Sequence, residues 1–105
     1  MIRGTTPTLT FILPCQVSDL AEYWITISQK YENIKIDKTS ADCTAEDNVI
    51  SVTLTQEETL RLIGNKPVYV QMRALTTGEA ALATDQWTCT VGEILREGVI
   101  SSESV

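Results

Sequence analysis

The sequence predicts an all-β fold, a sandwich of six to seven short strands interrupted by one helical turn. Three observations predict it. Apolar and polar residues alternate along most of the 105-residue chain, the period of a half-buried strand. Fifteen threonines and frequent Val and Ile supply the β-branched side chains that suit a pleated surface. Turn signals separate the alternating runs at spacings of about 8–12 residues, as in sandwiches.

The elements follow in order. Residues 8–13 place Leu9, Phe11 and Leu13 on one face, and Pro14 stops the run. Residues 16–21 form a polar connection in which Val17 and Leu20 are the apolar plugs. Residues 22–30 alternate again, with Tyr23, Ile25 and Ile27 opposite Trp24, Thr26 and Ser28. After a turn at Glu32 and Asn33, residues 34–38 make a third short strand. Residues 39–48 are polar, with Asp42, Cys43 and Thr44 able to form a brief edge pairing.

Residues 48–55 resume period two, with Ile50, Val52 and Leu54 inward. The stretch Thr55-Gln56-Glu57-Glu58 then breaks the β pattern as a capping box. Leu60, with Leu62 or Ile63, faces the core from this turn, and Gly64-Asn65 ends it. Pro67 opens a strand that puts Val68, Val70, Met72 and Ala74 on one face and Tyr69, Gln71, Arg73 and Leu75 on the other. A turn at residues 76–79 leads to a last long strand over residues 80–91, bent or bulged near Asp85. A helical turn between two long strands looks like the E–F corner of immunoglobulin-like domains, so the sandwich is read as immunoglobulin-like.

Length and composition bound the function. At 105 residues the chain is one domain, expected over residues 1–100 with a C-terminal arm from about residue 92 and a frayed tail at 101–105. A hydrophobic content of 43% with 21% charged residues fits a globular protein, not a disordered one. Eight basic against fourteen acidic residues give a net charge of −6, which argues against nucleic acid as a partner. No apolar run approaches the ~20 residues that cross a bilayer, so no membrane association is expected. The N-terminal residues contain no apolar segment of the signal-peptide kind, and synthesis in a reducing cytoplasm is expected.

Histidine is absent, which excludes Ser-His, Cys-His and His-metal arrangements within the chain. Cys15, Cys43 and Cys89 are odd in number, widely spaced and without a C-x-x-C pair. Cys89 reads as a small buried apolar residue, and Cys15 and Cys43 pair only if the fold joins them. Asp42, Glu46 and Asp47 gather three carboxylates but lack the ordered spacing of a calcium loop, so a solvated loop is the better reading. Glu57 and Glu58 do not face one another on a helix, and capping already explains Glu58. Lys30, Tyr31, Lys35 and Lys38 are interrupted by Glu32 and Asp37 and read as a solvated strand. Isolated Gly78 and Gly92 cradle no phosphate. No catalytic, cofactor-binding or metal-binding residue is therefore assigned, and an enzyme is the weakest class.

Surfaces are more informative. If Tyr23, Ile25 and Ile27 point inward, Trp24 points outward. It then belongs either to an interface or to a strand covered on both faces. Ile94, Leu95, Val99 and Ile100 add apolar surface near the end of the chain. That arm either docks on a neighbouring subunit or folds back over its own core. The candidate interface residues are Trp24, Tyr31, Ile94, Leu95, Val99 and Ile100.

Four stretches carry a resemblance: residues 1–11, Leu54 through Leu60, Val70 through Thr84, and the closing Val-Gly-Glu-Ile-Leu-Arg-Glu-Gly-Val-Ile of residues 91–100. In that order they resemble a family of small proteins encoded by phages and prophages of Firmicutes, over residue 1 to about 100. The resemblance implies a virion-associated or tail-module protein, or a component of tail assembly, and supplies no catalytic motif. The resulting expectation is a non-enzymatic phage structural or assembly protein of the tail or baseplate kind. It would be made in the host cytoplasm and contact other phage structural proteins and further copies of itself. The alternative is a free module that binds a host protein or a cell-surface glycan through Trp24 with Tyr31 or Tyr69.

Overall fold

In a computed structural model, which describes residues 1–100, the chain is built mostly from antiparallel strands with one short helix. The strands are β1 (Thr8–Ile12), β2 (Leu20–Gln29), β3 (Ile34–Thr39), β4 (Cys43–Glu46) and β5 (Val49–Thr53), then β6 (Pro67–Thr76), β7 (Ala81–Ala83) and β8 (Trp87–Thr90). The helix α1 (Gln56–Leu60) lies between β5 and β6. One sheet has the order β1-β5-β4; the other has the order β3-β2-β6-β7, with β8 also paired to β6. Tail residues 101–105 lie outside the described residues.

Period two decides which side chains enter the core. Tyr23, Ile25 and Ile27 of β2, Ile36 of β3 and Val68, Val70, Met72 and Ala74 of β6 are buried from the larger sheet. Ile50 and Val52 are buried from the smaller one, so both sheets supply one apolar cluster. Leu54 and Leu62 close the cluster where α1 passes, and Val91 closes it after β8. Leu9 and Phe11 are only half-buried against it, because β1 is an edge strand with β5 on one side alone.

The capping box forms as the sequence predicts. The Thr55 hydroxyl accepts from the Glu58 N–H at 3.2 Å, and the Glu58 carboxylate accepts from the Thr55 N–H at 2.8 Å. Thr59 is buried on the same turn and donates its hydroxyl to the Thr5 carbonyl at 2.8 Å. This bond fixes the N-terminal segment against α1. Among the described residues no helix is long and apolar enough to cross a membrane.

The strand count differs from the six or seven expected: among the described residues there are eight. Residues 43–46 form a real edge strand, paired to β5 from Cys43 opposite Val52 to Glu46 opposite Val49. The expected last long strand is two strands, and Thr84 separates them. Its N–H donates to the Met72 carbonyl at 2.9 Å, while its hydroxyl accepts from the Met72 N–H at 3.0 Å. The Gln71 amide donates to the Thr84 carbonyl at 2.8 Å. Side chains thus take over the ladder at Thr84, and pairing resumes only at Trp87 opposite Val70.

Lys38 departs from the solvated strand expected for it. It shares the inward side of β3 with Ile36 and is 9% exposed, because its ammonium reaches Glu58.

Candidate functional site

The outward side of the larger sheet is assembled by register. Trp24 of β2 stands between Thr39 of β3 and Arg73 of β6, and Thr26 stands between Asp37 and Gln71. Leu75 follows two residues beyond Arg73 and pairs with Ala81. An open cavity of about 530 Å³ results, lined by Trp24, Thr26, Asp37, Arg73, Leu75 and Ala81 among others. Trp24 is 41% exposed and Leu75 is exposed to a similar degree. The Thr26 hydroxyl donates to Asp37 Oδ1 at 2.7 Å, and Lys35 Nζ lies 3.7 Å from Asp37 Oδ2. The floor therefore offers an indole face, an aliphatic side chain, a carboxylate and a guanidinium. Groups of these kinds are able to stack and to hydrogen-bond.

Tyr31 does not join Trp24. It is 82% exposed on a 3-10 turn (Lys30–Glu32) after β2, and it lines a smaller concavity with Gln29, Glu32, Lys66 and Pro67. Tyr69 shares the outward side of β6 with Arg73, but the Lys30 ammonium sits 4.2 Å from its ring centroid. Of the aromatics singled out from sequence, Trp24 alone lines the large cavity.

The arm is divided. Ile94 is half-buried, and its Cδ1 would lie 3.0 Å from a Cβ placed on Gly4, beside Leu60. Leu95 is fully exposed, and Val99 and Ile100 are about half exposed. Arg3 holds the arm from the N-terminal side. Its Nη1 lies 3.0 Å from Glu93 Oε1 and 3.0 Å from Glu97 Oε2. The same guanidinium donates to the carbonyls of Leu62 at 2.8 Å and Leu60 at 3.1 Å. Glu97, then Glu93, hold the Arg3 guanidinium above its ordinary value. Gln56 completes the hold by donating to the Ile100 carbonyl at 3.0 Å and accepting its N–H at 2.8 Å. A parallel bridge between Ile2 and Gly92 runs alongside.

The remaining polar groups serve the fold. Cys15, Cys43 and Cys89 are free thiols. Burial, with Asp42 adding to it, raises the Cys43 thiol, which donates to the Thr39 carbonyl at 3.3 Å. A neutral thiol in that state is a poor nucleophile. Asp42 caps the turn that follows β3, accepting from the Thr39 N–H at 3.0 Å. Asp47 takes the left-handed conformation between β4 and β5, with φ of 55°. Glu22 accepts a short hydrogen bond from the Ser40 hydroxyl, which with the Tyr23 N–H lowers its carboxyl. Among the described residues no three Cys, Asp or Glu side chains come together to hold a metal ion.

Three buried polar residues escaped the sequence reading, Gln29, Lys38 and Thr59. Gln29 follows Ile27 at the inward period, the one signal that could have found it. Its Nε2 donates to the Ile63 carbonyl at 2.9 Å, and its Oε1 accepts the Ile63 N–H at 2.8 Å.

No family model matches the chain, and no curated protein or solved structure is significantly similar to it.

Proposed function

We propose that this protein is a non-enzymatic structural or assembly component of a phage, of the tail or baseplate kind, working through protein–protein contacts with other phage structural proteins and with its own copies. One observation carries the reading. Large apolar side chains are left exposed on separate surfaces: Trp24 and Leu75 on the larger sheet, Ile12 on β1, Trp87 on β8, and Leu95, Val99 and Ile100 on the arm. Several exposed apolar patches on one small domain suit a part that is surrounded by neighbours in an assembly. The resemblance of the four sequence stretches to phage and prophage proteins supplies the context. The protein is made in the host cytoplasm and carried into the virion.

The fold is read as an immunoglobulin-like sandwich. The order β1-β5-β4 opposite β3-β2-β6-β7 supports it, since B-E-D opposite C′-C-F-G has the same sequence of neighbours, and α1 then occupies the E–F corner. Mass spectrometry and immunogold labelling of purified virions test the assignment. Detection at a stoichiometric level is expected. Absence from particles, with normal tails in a deletion strain, rejects it.

The cavity beside Trp24 favours a second reading, a free module that binds a host protein or a cell-surface glycan. A glycan array and a pull-down with wild type and Trp24→Ala separate the two. Binding that disappears in the variant, from a protein that virions lack, selects the second.

A further inference from the structure

The open sheet edges differ in how they resist a second strand. β3 carries Lys35, Asp37 and Lys38. β4 is four residues long and ends at Glu46, beside Asp47. The β7/β8 edge is cut into strands of three and four residues by the break at Thr84. Charge, shortness and interruption are the usual protections of an exposed edge. β1 has none of them: its five residues, Thr-Leu-Thr-Phe-Ile, form one uncharged run, and Pro7 and Pro14 lie outside it.

The direction of its free groups follows from its hydrogen bonds. Leu54 N–H donates to the Pro7 carbonyl at 3.0 Å, and Leu13 N–H donates to the Asn48 carbonyl at 2.8 Å. Alternate residues from Pro7 to Leu13 therefore turn their main chain toward β5. Thr8, Thr10 and Ile12 turn theirs away from it. Beside this edge lies a cavity of about 400 Å³ lined by Leu9, Phe11, Val70 and Trp87, with Asp85 the one carboxylate among its lining residues.

We propose that β1 is a dimer edge on which a second copy lays its own β1, antiparallel, about a two-fold axis through Thr10. The proposal deepens the homo-oligomer part of the function proposed above and rests on that part. The occupant is argued from self-complementarity. With Thr10 opposite Thr10 of the second copy, Thr8 meets Ile12 and Leu9 meets Phe11, so every residue with free main-chain groups faces another such residue. About six main-chain hydrogen bonds form, and the two smaller sheets become one that runs from β4 to the other copy's β4. The half-buried Leu9 and Phe11 cover each other across the axis, and Ile12, 77% exposed, gains a cross-strand neighbour. No charged side chain of β1 meets its like, whereas a chain of net charge −6 repels its copy at the acidic end of β4.

Size-exclusion chromatography with light scattering tests this on the full chain at high micromolar concentration. Wild type is expected to be a dimer. Thr10→Lys and Thr10→Glu, each placing like charges across the axis, are expected to raise the dimer dissociation constant about tenfold or more. Mixing the two variants restores a heterodimer, because this is the one antiparallel register that brings position 10 onto itself. Thr10 is exposed, and thermal melts confirm that each variant folds. If either does not, Ile12→Lys mixed with Thr8→Glu replaces the pair. A monomeric wild type overturns the proposal and the homo-oligomer reading together, while virion composition still decides the phage assignment. A dimer indifferent to charge at position 10 but lost in Leu95→Asp overturns the β1 edge and moves the contact to the arm. Loss in both variants without rescue on mixing overturns the two-fold register.

Discussion

Lys38 Nζ lies 2.7 Å from Glu58 Oε2, an ion pair whose side chains are only 11% and 20% exposed and which ties β3 to the first turn of α1. Glu58 holds the Thr55 cap and the Lys38 ammonium at once. Burial pushes its carboxyl up, but hydrogen bonds from Lys38 and from the Thr55 N–H outweigh that and set it below its ordinary value.

The pH dependence follows from that sign. A carboxyl held lower in the folded than in the unfolded state stabilises the fold above its unfolded value, about 4.3, and the gain is lost as pH falls through the folded value. Glu58→Gln keeps the cap but leaves Lys38 buried without its counter-charge. It is expected to cost about 1–3 kcal/mol at pH 7 and to flatten the acid limb of stability below about pH 4. Urea melts from pH 7 to pH 3 check both, and a double-mutant cycle with Lys38→Met isolates the pair.

Gln29 supplies the next expectation. At 1% exposure its amide does the work of a neighbouring strand for Ile63, meeting both its N–H and its carbonyl. Gln29→Leu keeps similar bulk but removes both partners, and is expected to cost about 2–4 kcal/mol. Gln29→Glu loses the donor and adds a buried charge, so it should cost more. Denaturant midpoints of the two variants give the order directly.

Arg3 predicts how firmly the arm is held. Arg3→Ala frees Glu93 and Glu97 and leaves the Leu60 and Leu62 carbonyls without their guanidinium donor. A stability loss of about 1–2 kcal/mol is expected, with faster amide hydrogen exchange across residues 93–97 and little change in β2 or β6. Gly64→Ala should loosen the same segment by a different route. A Cβ there would lie 2.2 Å from Glu93 Cδ, so the Glu93 side chain must swing away while the backbone stays.

Trp24→Ala separates surface function from folding. The indole lies on the outward side of β2, so the substitution is expected to change stability by about 1 kcal/mol or less. Any loss of virion incorporation or ligand binding in that variant then reports on the surface. Parallel thermal melts and particle composition make the comparison.

Local rules made much of this legible in the sequence. The alternation of Tyr23, Ile25 and Ile27, and of Val68 through Ala74, names the inward faces because period two is a property of each strand alone. The Thr55–Glu58 box is equally local. Lys38 was not legible, since its partner is far along the chain and a lysine in a polar stretch reads as solvated. A bend near Asp85 was legible, but the bonds of Thr84 with Met72 and Gln71 that break the strand there were not, and the hold on the arm depends on Arg3, at the other end of the chain. Non-local pairing decided each of these. The candidate surface followed the same division: the outward face of Trp24 was legible, while its meeting with Arg73 and Leu75 required the register of β2 on β6.

That register also orders events in time. Ile25 pairs with Met72 and Ser28 with Tyr69, so the two central strands of the larger sheet come from opposite halves of the chain. During synthesis, at about 5–20 residues per second, β2 and β3 emerge seconds before β6, the other neighbour of β2, exists, with the inward face of Ile25 and Ile27 bare. The larger sheet cannot close until β6 has left the ribosome exit tunnel. Closing so long a loop makes folding a late event and a slow one for a domain of this length. A stalled nascent chain ending before Pro67 should accordingly remain open to protease and to chaperones.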